Sequence, residues 1–279
     1  MGTWLLLALL GLAASTYGSL IGAGGGFIMV PVMLVLFPGD TPAVITATSL
    51  VAVLANGVSG SFAYARQRRI DYVSALTLGL ATIPGSVLGA YATRLVVRGP
   101  FDALLGLVLV GLSLFLVLRQ PPVLISSESR SGRVLRALTD ASGVSYSYSY
   151  SRALAVLFGL GAGFIAAFFG VGGGIVLVPI MIQFLRFPPP IATATGVAVF
   201  LITAVTANVT HLLAGTLVGL YDRPAALAVG AVVGGQLGAW VSRRLRAVWL
   251  VRALALGLGL VGVRLIVNGW GDLAALIIR

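Results

Sequence analysis

The sequence contains no cysteine and a single histidine, His211. With no thiol there is no disulfide, no thiol redox chemistry and no cysteine-ligated zinc or iron–sulfur cluster, and one imidazole cannot hold a transition metal. Charge is scarce as well: 9% of residues are charged, where a water-facing surface needs roughly 25%. The seven carboxylates are Asp40, Asp71, Asp102, Glu128, Asp140, Asp222 and Asp272. All fall at the ends of apolar runs or between them, so neither a buried proton relay nor an aspartyl dyad is expected. No Ser–His–Asp grouping can be assembled, and no cofactor is expected. The 18 basic residues give a net charge of +11. Long apolar runs exclude a nucleic-acid partner for them, which leaves a membrane explanation.

What is present is hydrophobic length, with 59% of the 279 residues apolar. Runs of spanning character occur near 3–21, 27–37, 42–65, 72–97 and 101–118, and again near 153–169, 175–185, 190–214, 219–241 and 248–267. The fold expected is an all-α polytopic membrane protein embedded in a lipid bilayer. The first run lacks a basic leader and continues into further apolar sequence, so it reads as a retained helix rather than a signal peptide.

The two sets of runs are copies. At an offset of 148, Gly22, Gly24, Gly25, Gly26, Val30, Pro31 and Met33 match Gly170, Gly172, Gly173, Gly174, Val178, Pro179 and Met181, seven identities in twelve positions. Thr46-Ala47-Thr48 then matches Thr193-Ala194-Thr195, and Leu88-Gly89-Ala90 matches Leu237-Gly238-Ala239. The expected organisation is a first transmembrane repeat over 1–118, a linker over 119–152 and a second repeat over 153–279. Within the linker, strict alternation over 144–151 follows a turn at Asp140-Ala141-Ser142-Gly143, which admits a small β-hairpin as well as a flexible tether.

Five segments per half is an odd number, so the second copy enters the membrane upside down. Alternate threading puts thirteen arginines on one side and five on the side of the N-terminus. By the positive-inside rule the arginine-rich side is cytoplasmic, the linker lies inside, both termini lie outside and the copies are inverted repeats of the inner membrane.

The runs of glycine at 22–26 and 170–174 resemble phosphate-binding loops only superficially, since no strand precedes them and no Lys-Ser/Thr follows. Each joins a full-length segment to one of about eleven residues, which spans roughly 16 Å, half a hydrocarbon core. A half-helix beginning at Phe27, like its copy after Gly174, would present unsatisfied N–H groups and roughly half a positive charge inside the protein. Two such ends make an anion site without a basic side chain. The competing reading is that these glycines only permit close helix packing. Candidate ligand residues are therefore Gly22, Gly24, Gly25, Gly26 and Phe27 in the first copy and Gly170, Gly172, Gly173 and Gly174 in the second. Thr48, Ser49 and Thr195 join them from the neighbouring segment, as hydroxyl donors at or beside matched positions. Asn56, Asn208 and Gln236 form a second set. His211 could couple protons, but threading places it toward the outer end of its segment, as an interfacial residue.

The paired motif Gly22-x-Gly-Gly-Gly-Phe-Ile-x-Val-Pro31 and Gly170-x-Gly-Gly-Gly-Ile-Val-x-Val-Pro179, each followed by an Ala-Thr pair, resembles the sulfite exporter TauE/SafE family of membrane permeases. The resemblance implies an inner-membrane transporter, an exporter of small sulfur-containing or organic anions such as sulfite or organosulfonates; with the inverted repeats and paired glycine turns, the expected mechanism is a secondary carrier working by alternating access. An anion channel of the same fold is the alternative, and a non-transporting scaffold a third. The second copy departs from the motif in carrying Gly196 where the first has Ser49, so any two-fold symmetric ligation is confined to backbone.

Overall fold

The computed structural model describes residues 2–118, 133–217, 219, 221–244 and 255–267. The first half comprises α1 (Gly2–Ile21), α2 (Gly26–Leu36), α3 (Pro42–Arg66), α4 (Tyr72–Thr93) and α5 (Arg98–Leu118). The second comprises α6 (Arg152–Phe169), α7 (Gly174–Gln183), α8 (Pro189–Leu213), α9 (Asp222–Ser242) and α10 (Ala255–Val267). Among the described residues seven helices are long and apolar enough to cross a membrane, and α2, α7 and α10 are shorter. The protein is thus an all-α polytopic membrane protein. The early part of the last expected run, at 248–254, and the linker residues 119–132 lie outside the described residues.

Polarity is arranged for lipid rather than water. Large apolar side chains such as Leu76, Leu88, Leu107, Leu157 and Leu237 point outward, while Ser15, Asn56, Thr82 and Thr203 are fully buried. In lipid, helices gain little from burying more hydrocarbon and associate through close packing and interhelical hydrogen bonds. Small residues make that packing possible. Along α1 and α9, a Cβ on Gly234 would lie 2.6 Å from the Leu12 carbonyl oxygen, and one on Gly238 would strike that of Thr16. Along α4 and α6, a Cβ on Gly85 would strike the Leu160 carbonyl and one on Gly163 that of Thr82. Hence α1 rides on α9 as α6 rides on α4, and α3 and α8 meet at the centre between them. Every one of these pairings survives when each helix is exchanged for its sequence copy.

The short helices owe their length to matched signals. Pro31 and Pro179 are each the sixth residue of their helix, where proline leaves the carbonyl four residues back without its helical donor. At the end of α2, Arg98 donates to the carbonyls of Phe37 and Leu34, and to that of Pro38 at 2.5 Å. A cation at this C-terminus complements the helix dipole and leaves its positive end at Gly26 uncompensated.

Between the halves, β1 (Arg133–Thr139) pairs antiparallel with β2 (Ser145–Ser151), in a register that opposes Arg133 to Ser151 and Thr139 to Ser145. Asp140 organises the turn by accepting from Ser142 N at 2.8 Å and Val144 N at 3.1 Å. Alternation puts Tyr148 and Tyr150 on one face, where both rings pack on Phe187, with centroids at 4.5 and 5.2 Å. The hairpin therefore lies against the α7–α8 connection rather than standing free.

Candidate functional site: the glycine crossing

After α1 the chain reverses through glycines whose φ values are +77 at Gly22, +86 at Gly24 and +76 at Gly25, a left-handed region closed to most side chains. In the second copy Gly170 and Gly172 adopt +68 and +80. Each turn is tied to its own helix in the same way: Ala23 N donates to Gly18 O at 2.7 Å, and Val171 N donates to Ala166 O at 3.2 Å. The two turns then cross backbone on backbone. A Cβ on Gly26 would lie 2.5 Å from Gly170 O, and one on Gly174 would overlap Gly22 O. Reciprocally, a Cβ on Gly22 would be 2.9 Å from Thr193 Cα and one on Gly170 would be 2.7 Å from Thr46 Cα. The motif glycines and the matched threonines of α3 and α8 therefore meet at one point, buried on all sides. Phe27 is buried beside it, tilted against Tyr17 at 6.0 Å.

The polar side chains divide into those already committed and those still free to bind. Ser49 donates to Gly170 O at 2.9 Å, fastening α3 to the second turn. Thr195 accepts from Asp71 N at 3.1 Å, so its hydroxyl serves the α3–α4 connection. Thr48 is buried at 1% exposure. Asn208 donates to the carbonyls of Leu50 and Ala204 at 2.9 and 2.8 Å, and Gln236 donates to Ser59 O at 2.8 Å. His211 is buried near the end of α8, its Nδ1 3.4 Å from Thr216 Oγ1. Asn208 and Gln236 thus tie α8 and α9 to α3 away from the turns.

Asn56 differs. Its Oδ1 accepts from Ser19 Oγ at 2.6 Å, while its Nδ2 is fully buried without a partner. Ser15 Oγ, also fully buried, is likewise unpartnered. The two face successive glycines of α9: a Cβ on Gly234 would meet Ser15 Cβ at 2.8 Å, and one on Gly235 would meet Asn56 Oδ1 at 2.8 Å. Ser15 in turn backs the first turn, its Cα 3.0 Å from a Cβ built on Gly25. Two donors that a buried structure normally satisfies are thus left open, that of Ser15 directly behind the first turn. On the second turn Thr203 Oγ1 lies 3.3 Å from a Cβ built on Gly173, and Thr203 donates to Thr82 Oγ1 at 2.8 Å.

Sequence reasoning did not single out Ser15, Ser19, Thr82 or Thr203. The i, i+4 spacing of Ser15 and Ser19 was a usable signal, because it puts both hydroxyls on the α1 stripe that reaches Gly18 and Gly22. Thr203 carried one too, since at the offset of the Thr-Ala-Thr match it is the counterpart of Asn56.

Residues 7–265 match the sulfite exporter TauE/SafE family. The chain belongs to that family. It is 34% identical over 275 residues to the probable membrane transporter protein YunE of Bacillus subtilis, covering 96% of this chain and 98% of that one. It is 28% identical over 260 residues to a probable membrane transporter protein of Xylella fastidiosa, with 92% of each chain covered. A probable membrane transporter protein of Methanocaldococcus jannaschii is 24% identical over 270 residues, 92% of this chain and 93% of the relative. No solved structure matches. Membership makes this a multi-pass membrane transport protein, and the glycine crossing is built from the residues whose duplication first suggested the family.

Proposed function

We propose that the protein is a secondary carrier of the inner membrane that exports small sulfur-containing or organic anions, sulfite or organosulfonates among them, by alternating access around the glycine crossing. One observation carries this reading over a channel: the crossing is closed backbone to backbone, while a cavity opens at either end of the molecule. One cavity, of about 370 Å³, is lined by the ends of α3 and α9, and the other, of about 600 Å³, by the ends of α4 and α8 with the 38–44 segment. The two exchange when helices are swapped for their copies. Inverted repeats related by an axis in the membrane plane generate that arrangement, and rocking one repeat against the other exposes a central site to each side in turn.

In this reading the substrate occupies the crossing once the turns part. The N–H groups of Gly25, Gly26 and Phe27 meet it from α2, and those of Gly173 and Gly174 from α7. Asn56 Nδ2 and Ser15 Oγ add neutral donors, with the buried Thr48 hydroxyl on α3. The two helix ends supply about one positive charge in total. The walls are small, and the Phe27, Phe168 and Phe169 side chains leave an apolar flank for a short organic tail. Counterflow of a radiolabelled sulfonate in proteoliposomes tests the carrier: saturable uptake accelerated by internal unlabelled substrate is expected. Flux that neither saturates nor shows acceleration would identify a channel instead.

A further inference from the structure

At the α3–α9 end the turn of the hairpin roofs a cleft. Its two contiguous cavities, of about 370 and 260 Å³, share Arg69, Ser142, Trp240 and Arg243. Arg66 lines the first and Arg244 the second. Among the described residues one carboxylate enters this set: Asp140 pairs with Arg69 at 3.2 Å. Arg66 lies 4.3 Å over the Phe62 ring and Arg244 lies 4.0 Å over Trp240, contacts that orient a guanidinium without neutralising it. Four guanidinium groups against one carboxylate leave the cleft strongly electropositive. Its floor is polar. Gln67 is 8% exposed and anchored through Nε2 to Ala239 O at 2.8 Å, and Gln236 holds Ser59, less than a turn along α3 from Asn56. At the opposite end Arg98 is bound to the carbonyls closing α2, and Arg223 is paired with Asp40 at 2.5 Å. Arg94, exposed, lines the cavity there as well; among the described residues the guanidinium groups lining a cavity are nonetheless more numerous at the α3–α9 end.

We propose that the Arg66–Arg69–Arg243 cleft is a capture site for small tetrahedral oxyanions, sulfate as well as sulfonates, separate from the glycine crossing. Planar guanidinium groups match such oxyanions two bonds at a time, and a focused positive field raises the local anion concentration at the mouth of a path into the protein. The inference stands on the cleft's own side chains and holds whether or not the crossing is the transport site. Dianions are accepted here, where several arginines offset their dehydration, although two helix ends could not offset it.

Trp240 is the built-in reporter. In the full chain in neutral detergent, with Trp4, Trp249 and Trp270 replaced by phenylalanine, sodium sulfate at constant ionic strength should change Trp240 emission saturably. The double variant Arg66→Gln/Arg243→Gln should weaken the response at least tenfold, and Arg66→Lys/Arg243→Lys should restore part of it. Asn56→Ala, at the crossing, should leave it unaltered, which separates failure of the cleft from failure of the transport site. Should the double variant not elute as a monodisperse helical protein, Arg243→Gln alone should still weaken the response about threefold. Dihexanoyl-phosphatidylglycerol distinguishes a lipid headgroup from a free anion. Saturation by that lipid and not by sulfate, or an undiminished response in the arginine variants, would overturn the proposal.

Discussion

Glycines next to each other in the motif are constrained by different physics. A Cβ at Gly174 overlaps Gly22 O, and the obstacle is backbone that cannot rotate away. Gly173 has an ordinary φ of −60, and a Cβ there meets its nearest atom, Thr203 Oγ1, at 3.3 Å. We expect Gly174→Ala to be lost to misfolding, since overpacking of this kind costs about 1–3 kcal/mol or more. Gly173→Ala should fold with near-native thermal stability and lose sulfonate counterflow. Equal stability of the two alanine variants would show that the turns do not cross as described. At Asn56 the argument runs through an unsatisfied donor. Leaving it buried costs about 1–3 kcal/mol, so Asn56→Ala, which removes that burden together with one hydrogen bond, should change stability by less than about 1 kcal/mol while abolishing transport. A variant that is strongly destabilised yet active would make Asn56 a structural residue.

The hairpin is held at the element scale by Asp71, the N-cap of α4. Its carboxylate accepts from Arg136 at 2.6 and 2.8 Å, from Ser74 Oγ at 2.6 Å and from Tyr148 OH at 2.7 Å. Burial by itself would raise the Asp71 pKa. The donors from Arg136, Ser74 and Tyr148 together outweigh it and hold the group at about 2, below its ordinary 3.8. A depressed pKa in the folded state contributes stability above the unfolded value and loses it as pH falls through the folded one. Amide-exchange protection of β1 and β2 should therefore be flat from pH 8 to 5 and decline only below about 3.8. Arg136→Gln should reduce it at every pH, by leaving a buried carboxylate short of its cation. A loss of protection centred near pH 6 would assign the latch to a different group. The alternation of serine and tyrosine made the strands legible, but not their docking, which joins residues 65 to 77 positions apart.

For the whole molecule, topology and selectivity are the properties to measure. With no native cysteine, Val144→Cys in the hairpin should resist an impermeant maleimide in intact cells, whereas Gly2→Cys should react; the opposite pattern would reverse the orientation, and reaction of both would remove the argument for inverted repeats. At the crossing, transport of a sulfonate or hydrogensulfite should exceed that of sulfate at least tenfold, about 1.4 kcal/mol, because about one unit of helix-end charge cannot offset the dehydration of a dianion. Sulfate transported equally well would mean that an arginine of the cleft reaches the crossing. Much of this architecture was legible in the chain itself. Segment length, the interrupting glycines, the in-helix prolines and the duplication are local or self-similar properties, and they are sufficient for an all-α membrane fold and for the place where the two motifs ought to meet. Which polar groups remain open is a different kind of fact. Ser49 and Thr195 looked like ligands by position, yet their hydroxyls are engaged by partners 121 and 124 residues away, while the amide of Asn56 and the hydroxyl of Ser15 are left without one. Hydrogen-bond satisfaction depends on every helix packed around a group, so only the assembled bundle could separate the donors that hold the protein together from those left without a partner.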